Sequence, residues 1–131
     1  MRGERGSATV LLLAVAGLVL VLAVGVADAG IAFSARLQAA AAADAAALAA
    51  APVTFRPFGA TGSPVAEARR LARANGVVLA NCSCTVDRTW RSRVVEVVVE
   101  RRVELLGLGA ITVRASSRAE FAPTALLDRD T

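Results

Sequence analysis

Residues 7–27 carry no charge, and residues 8–27 read ATVLLLAVAGLVLVLAVGVA. Twenty residues rise about 30 Å as an α-helix, the thickness of a bilayer's hydrocarbon core. A surface helix of that length in a soluble protein shows a polar face, whereas this one is apolar on every side. Arg2 and Arg5 precede the stretch, and Asp28 is the first charge after it. Basic residues on the N-terminal side place that end in the cytoplasm and the remainder outside. The predicted location is therefore the cytoplasmic membrane, crossed once. A cleaved secretory signal is the alternative, because Ala27-Asp28-Ala29 fits a small-x-small cleavage pattern. The apolar stretch exceeds the roughly 7–15 residues usual in such signals, which favours a retained anchor.

Helical signals continue past the apolar stretch. Residues 30–51 read GIAFSARLQAAAAADAAALAAA, rich in the best helix former and free of proline until Pro52. One helix over residues 8–51 would be roughly 66 Å long, half in lipid and half outside it. Gly17, Gly25 and Ala29, with Ala14 and Ala23, are small enough to let another helix approach closely. Phe33 and Leu37 lie on the same smooth surface, and Arg36 and Asp44 read as a solvated stripe.

Two prolines and two glycines make residues 52–63 a loop. Ser63-Pro64 is an N-cap followed by proline at the first helical position, and Asn75-Gly76 is a stop, so a short helix is predicted over residues 64–75. Arg69, Arg70 and Arg73 form its solvated face. The rest of the chain alternates with period two. Val78, Ala80, Cys82, Cys84 and Val86 share one face of a first strand. Val95, Val97, Val99, Val103 and Leu105 oppose Glu96, Glu100, Arg102 and Glu104 in a second. Ile111, Val113, Ala115, Ala119 and Phe121 oppose Thr112, Arg114, Arg118 and Glu120 in a third. This pattern predicts a three-stranded antiparallel meander with one covered face. Pairing residues whose numbers sum to 218 sets Glu104 against Arg114 and Glu100 against Arg118, with Leu105 against Val113 and Val97 against Phe121. The fold class is α+β. The expected divisions are a leader at 1–7, a transmembrane helix at 8–27, its extension at 28–51, a small extracytoplasmic domain at 52–122 and a disordered tail at 123–131.

The chain contains no histidine, and its fifteen basic residues are all arginine. Imidazole metal ligands and histidine bases are thereby excluded within it. Cys82 and Cys84 supply only half a tetrahedral metal site. In a regular strand their Cα atoms would stand roughly 6.5–7 Å apart, at the edge of disulfide reach. They read mainly as small buried hydrophobes, with a disulfide as the alternative. Ser116-Ser117 lacks a base, and there is neither a phosphate-cradling glycine loop nor a nucleophile elbow. No catalytic set, cofactor site or metal site is predicted, and the chain reads as a non-enzyme.

A basic, glycine-containing leader, an apolar helix running into an Ala/Asp-rich helix and a small external β unit resemble type IV pilins and pseudopilins. ERGSATVLLLAVAGLVLVLAVGVADAG followed by ARLQAAAAADAAALAAAP is similar to TadE/TadG-like proteins of tight-adherence (Flp) pilus loci. ARANGVVLANCSCTV and VRASSRAEFAP resemble the short, helicase/secretion neighbourhood TadE-like class of high-GC Gram-positive bacteria. The resemblance implies a minor pilin or assembly role, with a secretion ATPase and membrane platform proteins encoded nearby. It implies membrane lipid and other pilin-like subunits or Tad-type platform proteins as partners, with no nucleic acid or small-molecule substrate. It also marks Gly6 and Ser7 as a prepilin-type processing position. The fifth residue after Gly6 is Leu11, where substrates of that peptidase typically carry Glu. A secreted or tethered envelope protein that binds through its sheet edge, unrelated to pili, is the alternative function.

Overall fold

The computed structural model describes residues 4–56 and 62–128; Arg2 and the end of the tail lie outside them. One helix, α1 (Glu4–Val53), runs unbroken through the apolar stretch and its alanine-rich continuation. Its 50 residues correspond to about 75 Å. It begins inside the segment expected as a leader. It also passes Pro52 and ends where the Thr54 hydroxyl donates to the Ala51 carbonyl at 2.6 Å. A second helix, α2 (Pro64–Ala74), starts as its sequence dictates, with Ser63 Oγ accepting from the Ala66 amide at 3.2 Å. It stops at Asn75, and Gly76 takes φ +72°, the left-handed conformation glycine adopts without penalty.

Three strands, β1 (Val78–Ser83), β2 (Arg93–Leu105) and β3 (Gly109–Phe121), form an antiparallel sheet with β2 central. Both helices cover one face. Val95, Val97, Val99, Val113 and Ala119 are buried there against Ala35, Ala39, Ala42, Ala43, Ala46, Ala47 and Ala50 of α1, with Ala68 and Ala72 of α2. The alanines recur at three-, four- and seven-residue spacing, so they form one stripe along α1. Methyl side chains bring the helix close to the sheet, and the β-branched valines fill the remaining space.

The β2–β3 alternation puts the expected residues inside, but the predicted register is displaced. Paired residue numbers sum to 214, with Glu100 opposite Arg114 and Glu96 opposite Arg118. Arg118 Nε reaches Glu96 Oε2 at 2.9 Å, and Arg114 Nε reaches Glu100 Oε1 at 2.8 Å. Glu96, Glu100 and Glu104 repeat every four residues, as do Arg114 and Arg118, so charge pairing is equally satisfied in both registers. The turn decides. In the 214 register only residues 106–108 are unpaired, and Gly109 supplies φ +74°. Short hairpin loops favour a left-handed residue at this place. In the 218 register the equivalent loop would be residues 108–110, and the left-handed place would fall on Ile111, a β-branched residue.

The face predicted for β1 also needs correction. Val78 and Ala80 point outward, while Val77 is buried and Leu79 half-buried. A β-bulge between Leu79 and Asn81 then inverts the alternation and returns Cys82 to the inner face opposite Val97. The bulge lets the edge strand bury Leu79 in place of Ala80 without turning the cysteines outward. β1 ends at Ser83, earlier than the sequence pattern suggests. The tail expected to be disordered is packed at its start: Pro123–Leu126 forms a 3₁₀ turn and Pro123 is buried.

The register has a direct test. In a background with both native cysteines replaced by serine, a Val98→Cys/Ser116→Cys pair is expected to oxidise readily, because these positions face each other. A Val98→Cys/Glu120→Cys pair, which the 218 register would match, is about 13 Å out of register and should stay reduced. Non-reducing peptide mapping reads the difference.

Candidate functional site

Two regions concentrate what this fold offers to partners. The first is the membrane-length part of α1. Its most apolar 18-residue window has mean hydropathy 3.0, and none of it is buried within the chain. That single N-terminal helix is long and apolar enough to span a membrane. A Cβ added at Gly17 or Gly25 would meet nothing within 4 Å, so both positions are notches on an open surface. Beyond the apolar stretch, Phe33, Leu37 and Leu48 remain exposed on α1 although the opposite stripe is buried. Gly6 and Ser7 are exposed within the first turns of the helix. Arg36 and Asp44 are exposed, as a solvated stripe requires.

The second region is where the hairpin turn meets α1. Asp28 is 4% exposed. Its carboxylate accepts hydrogen bonds from the Leu106 amide at 2.6 Å and the Gly107 amide at 3.0 Å. These are turn amides with no partner in the ladder, so one carboxylate satisfies both and pins the turn to the helix. Gly107 is required by contact: a Cβ there would stand 2.9 Å from Val24 Cγ1 and 3.2 Å from Asp28 Oδ2. Beside this clasp, Val21, Val24, Gly25 and Ala29 of α1 face Leu105, Leu108 and Ile111 across an apolar groove of about 570 Å³. Gly25 and Ala29 therefore border the hairpin, whereas Gly17 lies well below it.

In the sequence Asp28 stands out as the first charge after the apolar run and as the middle of a small-x-small pattern, and neither reading gives it a buried partner. Its signal was nevertheless present. Asp28 stands seven residues before Ala35 and fourteen before Ala42, on the stripe that faces the sheet. A charge on a buried stripe needs hydrogen-bond donors, and a glycine-rich turn supplies free amides.

Cys82 and Cys84 form a disulfide with Cα atoms 5.3 Å apart. The strand ends between them, at Ser83, which brings their Cα atoms closer than regular strand spacing would. At the far end of the domain, Phe55 meets Trp90 edge-on at 4.9 Å between ring centroids, and the Arg93 guanidinium lies 5.5 Å from the Phe55 ring centroid. Arg93 also donates to the Thr54 and Asp87 carbonyls at 3.2 and 2.7 Å, tying the end of α1 to the β1–β2 connection. The Thr89 amide, with its hydroxyl, holds the Asp87 carboxyl below its ordinary value. Among the described residues no three His, Cys, Asp or Glu side chains are grouped to hold a metal ion.

Residues 6–53 match the family model described as putative Flp pilus-assembly TadE/G-like. Over this helix the chain is similar to TadE/G-like proteins. The matched segment is nearly all of α1 and none of the sheet. No curated protein and no solved structure matches the chain. The TadE/G-like match supports a role in pilus assembly, one of contacts with other pilus or Tad proteins more than of catalysis.

Two outcomes follow for these features. Asp28→Ala leaves two turn amides without an acceptor and is expected to cost about 1–3 kcal/mol. Hydrogen exchange should accelerate at Leu106 and Gly107 before the centre of β2, and Asp28→Asn, with one acceptor oxygen, should fall between. Replacing Cys82 and Cys84 together by Ala should cost no more than about 2 kcal/mol in denaturant unfolding, because so short a disulfide loop restrains the unfolded chain little.

Proposed function

We propose that the protein is a membrane-anchored, pseudopilin-like component of a Tad/Flp-type pilus or secretion assembly. It acts by helix packing and protein–protein contacts and carries out no chemistry. Residues 8–27 stay attached, with the N-terminus in the cytoplasm and the sheet outside. The observation that carries this reading is the Asp28 clasp. The residue that ends the apolar run is a buried, hydrogen-bonded part of the external domain. A cut after Ala29 would leave Leu106 and Gly107 without their acceptor and would strip one wall from the groove. The clasp thus favours retention of the anchor over a cleaved signal. The open notches at Gly17 and Gly25 and the exposed Phe33 and Leu37 support packing against other helices.

Membrane fractionation and N-terminal sequencing of the mature protein test this. Retention in the membrane with an intact N-terminus, or with a start at Ser7 after pilin-type processing, supports the reading. A soluble chain that begins at Gly30 overturns it and favours the secreted envelope protein. Gly17→Leu is expected to insert normally and to lose co-purification with pilus components, since lipid is as apolar as leucine and only packing distinguishes the two. Val19→Arg should impair insertion itself, at about 2.5–3.5 kcal/mol for an arginine at mid-membrane.

A further inference from the structure

We propose that the β2–β3 turn is a lipid-dipping tip, which inserts Leu106 and Leu108 into the outer leaflet of the membrane that α1 crosses. The inference rests on the membrane-anchored reading of residues 8–27. Leu106 and Leu108 are 72% and 78% exposed, although they are the most apolar residues of their turn. Residues 105–113 carry no charge. The clasp fixes the height of this tip. Leu106 and Gly107 are bonded to Asp28, one residue past the apolar run, and Gly107 packs on Val24, four residues or about 6 Å further down the helix. Apolar faces of interfacial segments sit about 5–10 Å into the headgroup and acyl boundary, the same depth.

The exposed apolar surface of the tip continues into that of the helix, because Leu108 shares its groove with Val21 and Val24. A leaflet surrounding residues 8–27 must therefore also surround the turn. Charge is distributed accordingly. Above the tip come Arg36, Arg101 and Arg102, with Arg114 held by Glu100, so the unpaired charge at the level where anionic headgroups end is basic. Glu104 is exposed and opposite Ala110, and it limits insertion to the turn. The occupant is the lipid leaflet; a neighbouring copy's helix seated on the tip is the competing outcome.

The test uses the full-length chain reconstituted in vesicles of phosphatidylglycerol and phosphatidylethanolamine. Trp90→Phe removes the native fluorophore and preserves a ring against Phe55. Single tryptophans are then placed at Leu108, at Leu18 as a reporter of the span, and at exposed Leu48 as an aqueous reference. Leu108→Trp is expected to emit to the blue of Leu48→Trp, to lose quenching by iodide and to gain quenching by lipids brominated near the headgroup. Leu18→Trp should respond to lipids brominated deep in the chain. If Leu18→Trp responds so while Leu108→Trp stays open to iodide, the dipping tip is wrong and the anchor stands. If neither responds to brominated lipid, the anchor reading itself fails. Protection of Leu108→Trp that depends on protein density and not on bromination assigns the tip to a second copy and overturns the proposal. Circular dichroism of each variant confirms folding, and adding Asp28→Ala to Leu108→Trp should weaken the lipid response while leaving that of Leu18→Trp unchanged.

Discussion

Everything in this fold depends on how closely α1 approaches the sheet. A helix apolar enough to cross a bilayer has no obvious way to carry a folded domain, because its continuation must leave lipid and at once find a protein partner. The alanine stripe resolves this. Ala35, Ala39, Ala42, Ala43, Ala46, Ala47 and Ala50 are buried in one cluster with Val95, Val97 and Val99. A single larger residue on the stripe would lift the helix off the valines and open a cavity whose cost grows with its volume. The same closeness lets one carboxylate on the stripe reach the backbone of a hairpin turn.

That carboxylate joins the two halves of the molecule. From Gly6 to Leu20 the helix is exposed on all sides; beyond Asp28, one side is covered. The disulfide and the Arg93 contacts secure the other end of the domain, where β1 is joined to β2. The two ends are held differently. Next to the apolar run a single charged side chain grips main-chain amides, whereas at the far end aromatic rings, a guanidinium and a covalent bridge share the task.

Much of this was legible in the sequence. The apolar run, the alanine continuation, the Ser63-Pro64 start and the Asn75-Gly76 stop each depend on local rules, and each lies where those rules place it. The buried face of β2 followed from strict alternation. What failed required information from beyond the strand. Two registers were degenerate because acids and arginines repeat with the same four-residue period, and only the left-handed Gly109 distinguishes them. The inward face of β1 was misread because alternation assumes no bulge, and the gain from burying Leu79 is visible only once the helices cover the sheet. Of the candidate site, the open notches at Gly17 and Gly25 were readable as small residues. The function of Asp28 was hidden because its partners lie 78 and 79 residues away and are backbone amides, which leave no mark in a sequence.

The alanine stripe also bears on the order in which the molecule forms. An alanine side chain has no rotamers to lose, so ordering it costs no side-chain entropy. The helical half of the core is therefore in its final shape as soon as the helix exists, and under the proposed anchoring the helix can exist as soon as the lipid-length segment is inserted and its backbone bonds are closed. The valines of the sheet, each with a strongly preferred rotamer, then fold against a surface that no longer changes. In this chain the long helix is the template, and the sheet is cast on it.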